Sequence, residues 1–258
     1  MRAISVVIPA YNEEDNIAET LHSIPVVGLK EAGLEVELLV VDNGSTDDTA
    51  AVARDCGARV IVQPVRGYGN AYKAGFANCT GDVIATGDAD LTYPFQILPY
   101  AVEVLRRDGI DFISTDRLTT LDPQSMTRSH IWGNRAFSLV TRALFGAPFR
   151  DSQSGMWIFR RDVLSKVQVR SGGMAFSQEL KVEAFRQGLR CAEMSIDYYP
   201  RGGESKNRTV VDGFGNLGQL LAARVRTGVS PATTANRPRR SGLVPVVDAR
   251  PVPEGAAP

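Results

Sequence analysis

The strongest constraint on this chain is a rhythm in its first half. Short runs dominated by β-branched and aliphatic residues alternate with stretches of helical spacing. Residues 4–8, 36–41, 59–62, 83–86 and 112–115 read as strands. Asn12 predicts the cap of a helix reaching about Ile24, Asp47 or Asp48 opens a helix that Gly57 closes, and residues 70–78 read as a third helix punctuated by Gly81. Pro94 suits the start of a helix containing Ile97, Ala101, Val104 and Leu105. Apolar strands separated by helices predict an α/β fold with a mostly parallel central sheet covered on both faces. Ligands of such sheets bind beyond the carboxyl ends of the strands, where Pro9, Asp42 and Asp88–Asp90 lie.

The second half is less regular. Residues 131–145, 177–186 and 210–225 carry amphipathic helical patterns, and residues 156–159 and 191–198 read as strands. The periodicity stops at about Thr227. Residues 1–226 therefore read as a single domain, and the Pro-, Ala- and Arg-rich residues 227–258 as a disordered tail. Three widely spaced cysteines, with no C-x-x-C pair, argue against a disulfide framework or cysteine zinc site and suit a reducing cytosol. No apolar run approaches the ~18 residues of a membrane span. The expectation is a cytoplasmic protein, at most peripheral to a membrane.

Asp88-Ala89-Asp90 holds two carboxylates one residue apart after an apolar strand. Such a pair suits Mg²⁺ or Mn²⁺, hard cations that take oxygen ligands and share their remaining positions with phosphates and water. A helix-capping turn explains the same residues about as well. Asp42 precedes Asn43-Gly44 and a Ser-Thr-Asp cap, which turn chemistry explains without requiring Asp42. Tyr11 and Glu13 follow the first strand, where Tyr11 suits stacking on a base and Glu13 bonding to its edge; an acidic helix start is the plainer reading. Arg66-Gly67-Tyr68-Gly69 lacks the third glycine of a dinucleotide fingerprint and the Gly-Lys of a P-loop.

Read in order, Pro9-Ala10-Tyr11-Asn12-Glu13, Asp42 through Asp47, Arg66 through Ala71 and Asp88-Ala89-Asp90 resemble the family 2 glycosyltransferases of GT-A (Rossmann-like) fold. The polyprenyl-phosphate (dolichyl-type) sugar synthase branch is the nearest likeness. Arg128 with Gly133-Asn134, Asp151 through Gly155, Phe176 through Leu180, and Arg201 through Lys206 are similar to that branch's later motifs. The family often has Asp where this chain has Asn43, often a different ligand where it has Thr92, and often membrane helices after the catalytic domain.

The resemblance implies an inverting, metal-dependent transfer of a sugar from a nucleoside-diphosphate donor to a polyprenyl phosphate. Pro9, Tyr11, Glu13, Asp42 and Asp88 would line the donor site, and Asp88 and Asp90 would hold Mg²⁺ or Mn²⁺. An ionised lipid phosphate needs no protein base. It needs positive charge, for which Arg117, Arg128, Arg201 and Lys206 are the candidates. A soluble hydroxyl acceptor would need a base, with Glu179 first and Asp151 second. A non-catalytic nucleotide-sugar-binding protein is a further alternative. The formal net charge of zero argues against nucleic acid as a partner. The balance is uneven, however: residues 1–100 hold 6 Lys+Arg against 14 Asp+Glu, and the remainder carries the opposite excess. The donor half is thus acidic and the acceptor half basic.

Overall fold

In a computed structural model of the protein, residues 1–120, 125–202 and 244–248 are described. Strands β1 (Ala3–Ala10), β2 (Glu35–Asp42), β3 (Arg59–Val62), β4 (Val83–Thr86), β5 (Phe112–Asp116), β6 (Trp157–Arg160), β7 (Cys191–Ser195) and β8 (Val244–Asp248) form one sheet in the order β3-β2-β1-β4-β6-β5-β7-β8. Only β6 runs against its neighbours. The helices are α1 (Ile17–His22), α2 (Val26–Glu31), α3 (Thr49–Asp55), α4 (Tyr68–Asn78), α5 (Leu98–Arg107), α6 (Arg128–Phe145) and α7 (Phe176–Arg186). This is the GT-A-like α/β fold expected.

Side chains alternate across β1, so the sheet has two cores. Ile4, Val6 and Ile8 pack with Leu21, Leu98 and Leu105 on one face, while Val7, Val41 and Ile84 pack with Tyr72, Phe76, Trp157 and Phe176 on the other. Register brings the strand ends level: Ala10 lies beside Asp42, and Asp42 beside Val62. The loops carrying Tyr11, Asn43 and Asp88 therefore leave the same edge of the sheet.

Three local expectations need correction. Asn12 does not cap a long helix; it adopts φ 53° and its Oδ1 accepts the Thr46 amide. The Glu13 carbonyl closes a turn by accepting from Asn16 and Ile17, so α1 starts only at Ile17. Pro94 is followed by a 3₁₀ turn, Phe95–Ile97, before α5. The supposed tail also contributes a strand. The Val-Pro-Val-Val-Asp of β8 runs parallel to β7 with a register shift between Ala192 and Met194. A valine-rich run favours extended backbone, and the sheet edge tolerates its proline. The rest of the tail and the helical pattern at 210–225 lie outside the described residues. Among the described residues, no helix is long and apolar enough to cross a membrane.

Candidate active site

The donor-side residues are fixed by loops crossing between strand ends. Asp42, 7% exposed, accepts the Ser45 amide at 2.9 Å. Asn43, read from the sequence as a turn residue and a departure from the family's Asp, ties two loops together. Its amide donates to the carbonyls of Gln63 and Val65, and its Oδ1 accepts the Gly67 N–H at 2.8 Å. An aspartate could accept the Gly67 bond but could not donate the other two. The Arg66 guanidinium lies 4.0 Å from the centre of the Tyr11 ring, a cation–π contact. Pro9 sits in β1 opposite Val41.

Glu13 is buried and bonded on both oxygens, by Asn16 Nδ2 and by Arg201 Nη2, each at 2.7 Å. Arg201 also reaches Asp90 Oδ2 at 3.2 Å. Asp90 Oδ1 accepts the Thr92 hydroxyl at 2.6 Å, so Thr92, the family departure, orients the carboxylate. The Gly202 amide donates to the Asp90 carbonyl at 3.1 Å. Arg201 therefore stands between the donor-side carboxylates rather than apart from them, as an acceptor-only role had implied. Lys206 and the Arg128 side chain lie outside the described residues.

Asp88 lies where the Tyr68 and Tyr93 hydroxyls converge on Gly155. Burial, then the nearby charge of Asp90, raises its pKa to about 7, although Arg117 and Arg201 oppose the shift. Two crowded carboxylates that resist joint ionisation are a donor set a divalent cation relieves. Among the described residues no group of three or more His, Cys, Asp or Glu side chains is placed to hold a metal ion.

Arg117, directly after β5, is held by Asp151. Its Nε and Nη2 donate to the two Asp151 oxygens at 2.7 and 3.1 Å, and its backbone N–H donates to Oδ2. Burial would raise the Asp151 pKa, but the guanidinium outweighs it and holds the carboxyl below its ordinary value. Both oxygens serve Arg117 and the Gln153 amide, so Asp151 is built to hold an arginine rather than to collect a proton. Sequence reasoning missed the layer beneath. Glu193 accepts the Arg150 and Asp151 amides, and the buried Lys181 ammonium donates to the Asp151 carbonyl at 2.9 Å. Burial pushes the Lys181 pKa down and that of Glu193 up. Their glutamate-in-strand and lysine-in-helix positions carry no motif that would have singled them out.

Glu179 accepts the Arg170 and Ser171 amides at 3.1 and 2.8 Å. The turn it holds presses on the Arg66 loop: the Asn70 amide donates to the Gly172 carbonyl at 3.1 Å, and a Cβ on Gly69 would stand 2.5 Å from the Ser171 carbonyl oxygen. Here Glu179 fixes a loop.

Residues 5–168 match the Glycosyl transferase family 2 model. The chain belongs to that family. It is 36% identical over 220 residues to the low-salt glycan biosynthesis hexosyltransferase Agl6 of Haloferax volcanii, an alignment covering 84% of this chain and 53% of the relative. It thus spans about half the length of that protein. It is also 36% identical over 203 residues to a dolichyl-phosphate hexose transferase of the same organism, covering 79% of this chain and 86% of the relative. Among solved structures, glucosyl-3-phosphoglycerate synthase from Mycobacterium tuberculosis, in complex with Mn²⁺, uridine diphosphate and glucosyl-3-phosphoglycerate, superposes with TM-score 0.67 at 28% identity. That match covers 90% of this chain and 82% of the synthase.

Proposed function

We propose that this family 2 member is an inverting hexosyltransferase that moves a sugar from a nucleoside-diphosphate donor to a polyprenyl phosphate. One observation carries the choice of acceptor. The two carboxylates considered as bases, Glu179 and Asp151, are committed to backbone amides and to Arg117, while Arg117 and Arg201 both act electrostatically on Asp88. A site with cations around the reacting position, in which Glu179 and Asp151 are committed and Asp88 is kept for a metal, suits a nucleophile that arrives ionised, such as a phosphate monoester.

In this reading Tyr11 and Asp42 hold base and ribose, and Glu13 supports Arg201. Asp88 and Asp90 would hold Mg²⁺ or Mn²⁺, which when bound supplies charge neutralisation at the diphosphate leaving group. Arg117, kept charged and aimed by Asp151, steadies the acceptor phosphate. The names of the Haloferax dolichyl-phosphate relative and of an undecaprenyl-phosphate 4-deoxy-4-formamido-L-arabinose transferase from Pseudomonas fluorescens, 32% identical over 171 residues, support this acceptor class. The likeness to glucosyl-3-phosphoglycerate synthase favours a second reading, a soluble phosphorylated acceptor.

The test is nucleoside-diphosphate release from a panel of nucleotide sugars with Mg²⁺ or Mn²⁺, using short-chain polyprenyl phosphate or 3-phosphoglycerate. Metal-dependent release with the lipid phosphate alone supports the proposal, and turnover confined to the soluble acid overturns it. Asp90→Ala abolishes turnover in either case.

A further inference from the structure

Helix α6 carries an outward apolar stripe beside its packed side. Its fully buried positions are polar: Ser138 and Thr141 are buried, and the Ser138 hydroxyl accepts the Ser152 amide at 2.9 Å. Ile131, Phe137, Val140, Leu144 and Phe145 are half-buried, but two large apolar residues face outward. Trp132 is 71% exposed and Leu139 62%. With the exposed Ala136 and Ala143 they fall on one narrow stripe at helical spacing. Arg135 and Arg142 are also exposed and line one shoulder of that stripe. The 18 residues of α6 contain no Asp or Glu.

We propose that this face of α6 docks on an anionic lipid surface, bringing the acceptor site to the bilayer that holds its substrate. The proposal rests on the polyprenyl-phosphate reading and names the surface from which that substrate is taken. Three features select lipid as the occupant. An outward stripe of Trp and Leu beside arginines, without acidic residues, is the composition of a helix lying in a headgroup layer. Arginine stems can lie along the apolar boundary while their guanidinium groups reach lipid phosphates. The inner side of the same helix also touches Ser152, the neighbour of Asp151, so the stripe backs directly onto the loop that aims Arg117.

The chain contains two tryptophans, and Trp157 is fully buried in the core. Trp132 therefore reports on this face by itself. The experiment adds vesicles of phosphatidylcholine, with or without phosphatidylglycerol, to the full-length protein and follows tryptophan emission and co-sedimentation. The expected result is a blue shift and quenching by brominated lipid with the anionic vesicles only, both absent in Trp132→Phe. Arg135→Gln/Arg142→Gln should weaken partition about twenty-five-fold, at about fivefold per arginine. Its turnover of short-chain polyprenyl phosphate without vesicles should match wild type.

Three outcomes overturn docking. One is no shift with anionic vesicles. Another is protection of Trp132 from iodide before lipid is added, meaning that another part of the chain covers it. The third is a concentration-dependent shift with dimerisation in the absence of lipid, meaning that a second copy covers it. Because the short-chain assay needs no vesicle, its success or failure judges the acceptor reading separately.

Discussion

Replacing Asp151 by Asn tests whether the Arg117 pair is a buried device or a surface ornament. The exchange keeps size and one acceptor oxygen but removes the charge. The Asp151 side chain has no exposure and Arg117 only 8%, so water cannot screen the arginine left behind. Two guanidinium bonds, the Arg117 amide and the Gln153 amide all depend on that carboxylate. Removing one partner of such a buried pair costs about 3–5 kcal/mol, against about 0–1 for an exposed pair. Lys181 also loses the carboxylate that favours its charged form. Urea denaturation of Asp151→Asn should therefore show a loss in the larger range. Arg117→Met/Asp151→Leu, which removes both charges, should recover most of that stability without recovering turnover of short-chain polyprenyl phosphate. A loss of less than about 1 kcal/mol in the single variant would refute the buried-charge argument. An active double variant would show that the arginine does not act on the acceptor.

Two further outcomes follow from close contacts and from charge. Gly155→Ala puts a Cβ 2.3 Å from the Tyr68 hydroxyl and 3.5 Å from Asp88 Oδ1; it should lower kcat by at least tenfold while costing about 1–3 kcal/mol of stability by overpacking, read by steady-state kinetics alongside thermal melting. Burial opposes ionisation of Glu37, but hydrogen bonds from Ser5, Arg59 and Thr80 outweigh it and lower the pKa from 4.5 to about 2. The stability Glu37 contributes is therefore complete above pH 4.5 and lost as pH falls toward 2. Glu37→Gln should cost about 1–2 kcal/mol at neutral pH, after discounting for its partial exposure, and the gap from wild type should close in acid, as measured by denaturation midpoints across pH.

The sequence by itself determined the strands up to residue 198 and the sharing of one edge by those of its first half, but not β8. A run such as residues 36–41, followed by an aspartate, has few stable uses other than a buried parallel strand ending in a site loop. It also supplied the family, because motifs at strand ends are contiguous and ordered. The partnerships were decided elsewhere. Arg201 meets Glu13 across 188 positions of sequence, Arg117 meets Asp151 across 34, and Glu193 supports a loop 42 positions away. Charge type is legible in a sequence, but whether a carboxylate is a base, a ligand or an arginine's counter-ion depends on what the fold brings within about 3 Å of it. The same distinction accounts for α6: spacing predicted a helix with Ile131, Phe137, Val140 and Leu144 on one apolar face, which is half-buried, and only tertiary packing decided that Trp132 and Leu139 point outward while Ser138 serves the polar loop beneath.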